Sequence, residues 1–141
     1  MTSRQSRFAL PIVLALLIVL PSCNKPPVRQ LGPLTISLAY NNGQCTQNGS
    51  TGMIDVVQDQ NVTYVPASVN IPFYAQFSTC PFAAGKCPIS SPQGTPQSPG
   101  APTAASANTD YYYSSVTINN QACNNSPGTL GLHIKPISGT P

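Results

Sequence analysis

Ile71-Pro72-Phe73-Tyr74-Ala75-Gln76-Phe77 decides how the rest of this chain is read. Ile71, Phe73, Ala75 and Phe77 fall on one face of an extended segment, and Pro72, Tyr74 and Gln76 fall on the other. That period of two is the signature of a strand buried on one side, so the segment is expected to be central to a sheet-built core. Upstream, Val62-Thr63-Tyr64-Val65 alternates in the same way until Pro66 stops it, and Asp59-Gln60-Asn61 supplies the turn before it. Met53-Ile54-Asp55-Val56-Val57 reads as another short strand, residues 45–52 as loop, and Leu34 to Tyr40 as a first strand closed by the turn Asn41-Asn42-Gly43.

Downstream, residues 111–119 return to strand, with Tyr112, Ser114, Val116 and Ile118 on one face and Tyr111, Tyr113, Ser115 and Thr117 on the other. Asn119-Asn120 opens a polar turn that runs to Pro127-Gly128, and a last strand follows, with Leu130, Leu132 and Ile134 inward and Gly131, His133 and Lys135 outward. Between the two halves, about 88–110, prolines at 88, 92, 96, 99 and 102 are set among Ser, Gly, Thr, Gln and Ala. Such a composition offers little apolar surface to offset ordering entropy, which predicts a low-complexity loop. No helical period appears after the leader. Short alternating strands bounded by Asn, Gly and Pro predict an all-β fold over 33–138, a two-sheet sandwich or small barrel, with a Greek-key β-sandwich as the favoured form.

The amino terminus sets the address. Arg4 and Arg7 precede an apolar run from Phe8 to Leu20, 13 residues long, which suits the h-region of a secretory signal and falls short of a bilayer span. Leu20-Pro21-Ser22-Cys23 resembles a bacterial lipobox, with Leu three residues before the Cys and a small residue directly before it. The resemblance implies a signal peptide over 1–22 and a lipid on Cys23. Residues 23–32, with Pro26-Pro27, then form an extended tether to the membrane. Asn24, standing where an Asp favours inner-membrane retention, points to the outer membrane by resemblance to enterobacterial sorting.

Beyond the leader, Lys25, Arg29, Lys86 and Lys135 face Asp55, Asp59 and Asp110, and the chain has no Glu. A basic face able to neutralise several phosphates is absent, which excludes nucleic acid as an expected partner. With Cys23 assigned to lipid, Cys45, Cys80, Cys87 and Cys123 remain as an even set in an oxidising compartment. Of three connectivities, Cys80 with Cys87 and Cys45 with Cys123 is favoured: one closes a short loop and the other ties early chain to late.

The succession of Asn61-Val62-Thr63-Tyr64, Phe73–Phe77 leading into Cys80-Pro81-Phe82, then Tyr112 to Val116 and Pro127-Gly128 before Leu130–Lys135, resembles copper-free cupredoxin-like domains of bacterial envelope proteins. Immunoglobulin-like sandwiches are the alternative. The resemblance implies a fold without a copper centre, since blue copper needs two imidazoles and a thiolate and His133 is the sole histidine. No cofactor or metal ligand set is expected, and a carrier role through His133 is the least supported alternative. A hydrolase would draw on His133 and three aspartates with no G-x-S-x-G elbow, so no enzyme is expected. Tyr111 and Tyr113, joined by Tyr74, form the candidate ligand surface, able to stack on sugar rings or on a partner's apolar face; the plainer reading is cross-strand packing. The expected function is therefore a lipid-anchored, non-enzymatic envelope module that presents its β-sandwich surface for binding or structural interaction with an envelope protein or glycan. The alternative is a carbohydrate-binding module using Tyr111 and Tyr113. Asp59-Gln60-Asn61-Val62-Thr63 also resembles the extended acceptor of bacterial N-glycosylation, and Asn48-Gly49-Ser50 fits its short form.

Overall fold

In a computed structural model, residues 31–137 are described; the leader, Cys23 and most of the tether lie outside them. The first sheet is built from β1 (Leu34–Asn41), β2 (Gln44–Gln47), β4 (Val62–Pro66) and β7 (Gln97–Gly100), in the order β2-β1-β4-β7. The second has β3 (Met53–Val57), β10 (Gly131–Lys135), β8 (Thr109–Ile118), β5 (Phe73–Phe77) and β6 (Ile89–Ser91) in the order β3-β10-β8-β5-β6, with β9 (Gln121–Ala122) paired to β8. The described chain is all-β, two sheets packed face to face, as the alternation predicts. Each sheet is mixed: β1 runs parallel to β4, and β3 parallel to β10.

The inward residues of both sheets make one core. Ile36, Leu38, Val62 and Tyr64 from the first sheet meet Val56, Phe73, Ala75, Phe77, Val116, Leu132 and Ile134 from the second, all buried. Two tight hairpin turns owe their shape to asparagine: Asn42-Gly43 between β1 and β2, and Asn119-Asn120 between β8 and β9, have positive φ at both central residues. The disulfides join Cys45 to Cys123 and Cys80 to Cys87, the favoured pairing.

Three expectations are corrected. First, residues 45–52 are not simply loop. Cys45 and Gln47 belong to β2, and the chain then crosses from an edge of the first sheet to β3 at an edge of the second. Secondly, the 88–110 segment is not a structureless loop. It contributes β6, β7 and a 3-10 turn at Ala104–Ser106, and Ile89, Ser91, Pro99 and Pro102 are buried. Pro99 and Pro102 serve as apolar groups there, while Pro88, Pro92 and Pro96 are exposed. Pro99 sits in an edge strand, where a missing N–H costs no ladder bond. Ser91 Oγ accepts the Thr95 amide at 2.7 Å, and the Ser106 hydroxyl donates to Pro81 O at 2.8 Å, so side chains supply the bonds that composition alone conceals.

The third correction concerns β8. Gln76 pairs with Ser115 but Phe77 pairs with Tyr113, leaving Ser114 as one extra residue. This bulge reverses the alternation between Tyr113 and Val116. Tyr111 and Tyr113 therefore share the inner face with Val116 and Ile118, whereas unbroken alternation would set the two pairs on opposite faces.

Tyr113 completes a polar link through the core. The fully buried Gln47 donates from Nε2 to Gly52 O at 2.8 Å and to Gly131 O at 2.5 Å, and its Oε1 accepts the Tyr113 hydroxyl at 3.1 Å. Tyr64 reaches the Tyr113 oxygen at 2.9 Å. Burial pushes both phenols upward from the ordinary tyrosine range, Tyr64 further through its neighbour Tyr113, so both remain protonated donors. Gly131 is required beside this link, because a Cβ there would overlap the Tyr111 carbonyl.

Gln47→Leu leaves the Gly52 and Gly131 carbonyls and the Tyr113 hydroxyl without this partner, and is expected to cost at least about 2 kcal/mol in denaturant unfolding. Removing Cys45–Cys123, 78 residues apart, should cost about 4 kcal/mol, against about 2 kcal/mol for Cys80–Cys87, 7 apart, when paired alanine variants are compared in the same assay.

Candidate functional site

The outer face of β3, β10 and β8 carries most of the charge of the described chain. Register sets Asp55, His133 and Asp110 in one row across three adjacent strands, all at outward positions. His133 Nδ1 lies 2.5 Å from Asp110 Oδ1, and Tyr112, two residues along β8 on the same face, donates its hydroxyl to Asp110 Oδ2 at 3.2 Å. One row on, Lys135 Nζ meets Asp55 Oδ2 at 2.5 Å. Such exposed pairs contribute little to stability.

The bond from His133 holds the Asp110 carboxyl below the ordinary carboxylate range, with a second contribution from the Tyr112 hydroxyl. In turn the Asp110 charge raises the Tyr112 hydroxyl above its ordinary value, keeping it a donor. The group is thus an ionised carboxylate between an imidazole and a phenol on an open sheet. Beside it a recess of about 320 Å³ runs along β8, walled by Tyr112, Ser114, Ser115, Ser126 and Gly128. The β8 bulge turns Ser114 into that wall, where its hydroxyl donates to Gln76 O at 3.2 Å.

The sequence-predicted residues are placed as follows. Tyr113 points inward, its ring 4.4 Å from that of Phe77, and Tyr111 is half-buried against the core. Tyr74 lies on the outer face of β5, its hydroxyl 3.3 Å from Gln76 Oε1. The three tyrosines do not form one platform; the outward aromatic of β8 is Tyr112. The bulge is the reason, and a single sequence carries no register from which to find it. His133 occupies the polar strand face expected of it, yet is bonded to Asp110, a residue the sequence places only at the end of a loop. Cys23 lies outside the described residues.

For catalysis the arrangement offers a His–Asp pair with no nucleophile attached: among the described residues no hydroxyl is hydrogen-bonded to His133. For metal binding, no group of three His, Cys, Asp or Glu side chains converges among the described residues, Asp55 being turned to Lys135. What the face does offer is hydrogen bonding from a fixed carboxylate and imidazole, next to a tyrosine and a recess of mixed lining, in which serine hydroxyls stand among apolar groups such as Val116, Pro127 and Leu130. Comparison with protein-family models, curated proteins and solved structures finds no match.

A carboxyl whose folded-state pKa is depressed adds stability that is complete above the unfolded value near ~4 and is lost as pH falls through the folded value. NMR titration should therefore place the Asp110 carboxyl below the ordinary carboxylate range. His133→Ala should move it back toward the ordinary range.

Proposed function

We propose that this chain is an exported, lipid-anchored envelope protein whose β-sandwich serves as a non-enzymatic binding module. The observation that carries the reading is the leader, in which Arg4 and Arg7, the apolar run Phe8–Leu20 and Leu20-Pro21-Ser22-Cys23 together form an export and lipidation signal. The two disulfides support it, because bridged cysteines belong to oxidising compartments outside the cytosol. Lipid on Cys23 and a tether over 23–32 would keep the sandwich within about 35 Å of the bilayer, on the outer membrane by the Asn24 argument. The domain itself is read as a copper-free member of the cupredoxin-like class. Its single histidine, already engaged by Asp110, supports that reading over a copper carrier.

The contact surface in this reading is the Tyr112–Asp110–His133 face with its adjoining recess, taking an envelope glycan or protein. A glycan is favoured by one combination: a tyrosine beside a carboxylate and a row of serine hydroxyls matches a sugar's apolar face and its hydroxyl rim.

Metabolic labelling with palmitate should mark the wild type, and Cys23→Ala should abolish the label and shift the protein from the membrane to the soluble fraction. An unlabelled wild type would sink the anchor. On a glycan array the wild-type domain should show binding that Tyr112→Ala reduces at least tenfold, while its unfolding midpoint stays within the range of a surface substitution.

A further inference from the structure

The sequence contains three Asn-x-Ser/Thr triplets, at Asn48, Asn61 and Asn124, and the structure treats the first two asparagines in opposite ways. Asn48 sits in the turn after β2 with both ends of its side chain engaged: Oδ1 accepts the Ser37 amide at 2.7 Å and Nδ2 donates to Thr35 O at 3.2 Å. Its amide is part of the backbone bonding of β1. Asn61, in the β3–β4 connection, is exposed, and among the described residues no hydrogen bond holds its side chain; its backbone carbonyl accepts the Leu34 amide at 2.8 Å.

Gln60 is tucked in, accepting the Val57 amide at 3.2 Å and donating to Gly32 O at 3.0 Å. Asp59 and Asn61, on either side of it, both remain exposed. Asp59 at the second position before the asparagine and Thr63 at the second after it supply the acidic and hydroxyl residues of the extended acceptor, whereas Asn48 has Thr46 and the exposed Asn124 has Ala122 in place of the acid. A bulky polar group on Asn61 would displace no side-chain hydrogen bond among the described residues, while one on Asn48 would crowd a side chain that β1 already holds.

We propose that Asn61 is an N-glycosylation site and Asn48 is not. In the transfer, Asn61 Nδ2 forms a bond to the anomeric carbon of an oligosaccharide carried on a polyprenyl diphosphate, delivered by a membrane-bound oligosaccharyltransferase. The bond from that carbon to the diphosphate oxygen breaks, the polyprenyl diphosphate leaves with the electron pair, and Nδ2 gives up one proton. Val62 and Thr63 lie in β4, which pairs with β1 on one side and β7 on the other, so the transferase takes the acceptor before the first sheet closes. Transfer occurs on the far side of the membrane, and the proposal rests on the export step of the proposed function.

The test is mass spectrometry of the full chain purified from its native membranes, reduced and cleaved before aspartate. The cuts before Asp55 and Asp59 put Asn48 and Asn61 on different peptides. The peptide beginning at Asp59 should carry added hexose and N-acetylhexosamine mass and the Asn48 peptide none; Asn61→Gln should remove the added mass from the protein and Asn48→Gln should leave it. A bare Asp59 peptide from a protein whose first residue is lipidated Cys23 overturns the proposal and leaves export intact. An uncut leader with a bare Asp59 peptide overturns both.

Discussion

A single buried amide holds the two sheets in register. Gln47 is the last residue of a strand in one sheet, yet its Nε2 bonds Gly131 O in the other, and its Oε1 accepts Tyr113 from the same opposing sheet. Hydrophobic packing is nearly indifferent to sliding, because one apolar contact replaces another. A hydrogen-bonded amide has no such freedom, and displacement would strand two carbonyls and a phenol in a dry interior. Tyr64 extends the link to the strand beside β1, so four strands and the crossover at Gly52 converge on one point. No buried side-chain nitrogen or oxygen among the described residues lacks a partner, and the network therefore specifies alignment without leaving an unpaired group.

The crossovers work with that link. The chain leaves the first sheet at its β2 edge and enters the second at its β3 edge; later it leaves the second at β6 and enters the first at β7. Both open sides of the sandwich are thereby spanned by chain, which limits exposed strand edges. At β2 the device is more local: Asn125 accepts the Cys45 amide at 2.8 Å and donates to Cys45 O at 2.9 Å, occupying bonds that another strand would seek, and the Cys45–Cys123 bridge anchors the same corner. Proline and asparagine do the same work elsewhere, by excluding further pairing or by accepting positive φ at turns.

Against so uncharged a chain, the outer face of β3, β10 and β8 is chemically distinct. Its charges are paired along and across strands, and the bulge in β8 both turns Tyr113 into the core and opens the recess beside Tyr112. Core and candidate surface thus share a cause: the extra residue at Ser114 that completes the inter-sheet link also shapes the groove outside it.

Local pattern alone determined a great deal here. Strands β1, β4, β5, β8 and β10 were legible because each alternates at period two, β3 was legible as a short apolar run, and loop closure favoured the observed cysteine pairing among three. The short strands β2, β6, β7 and β9 were not legible, since two to four residues are too few to show a period, and the prolines of the 88–110 segment resemble those of a loop until edges exist for them to occupy. The same limit hid the site. Whether Tyr112 or Tyr113 faces outward depends on which residue opposes Gln76, and whether Asp110 meets His133 depends on β8 lying beside β10. Side-chain alternation is written in the covalent order of a strand, but neighbours and register arise only when separate segments come together, and that choice belongs to tertiary packing.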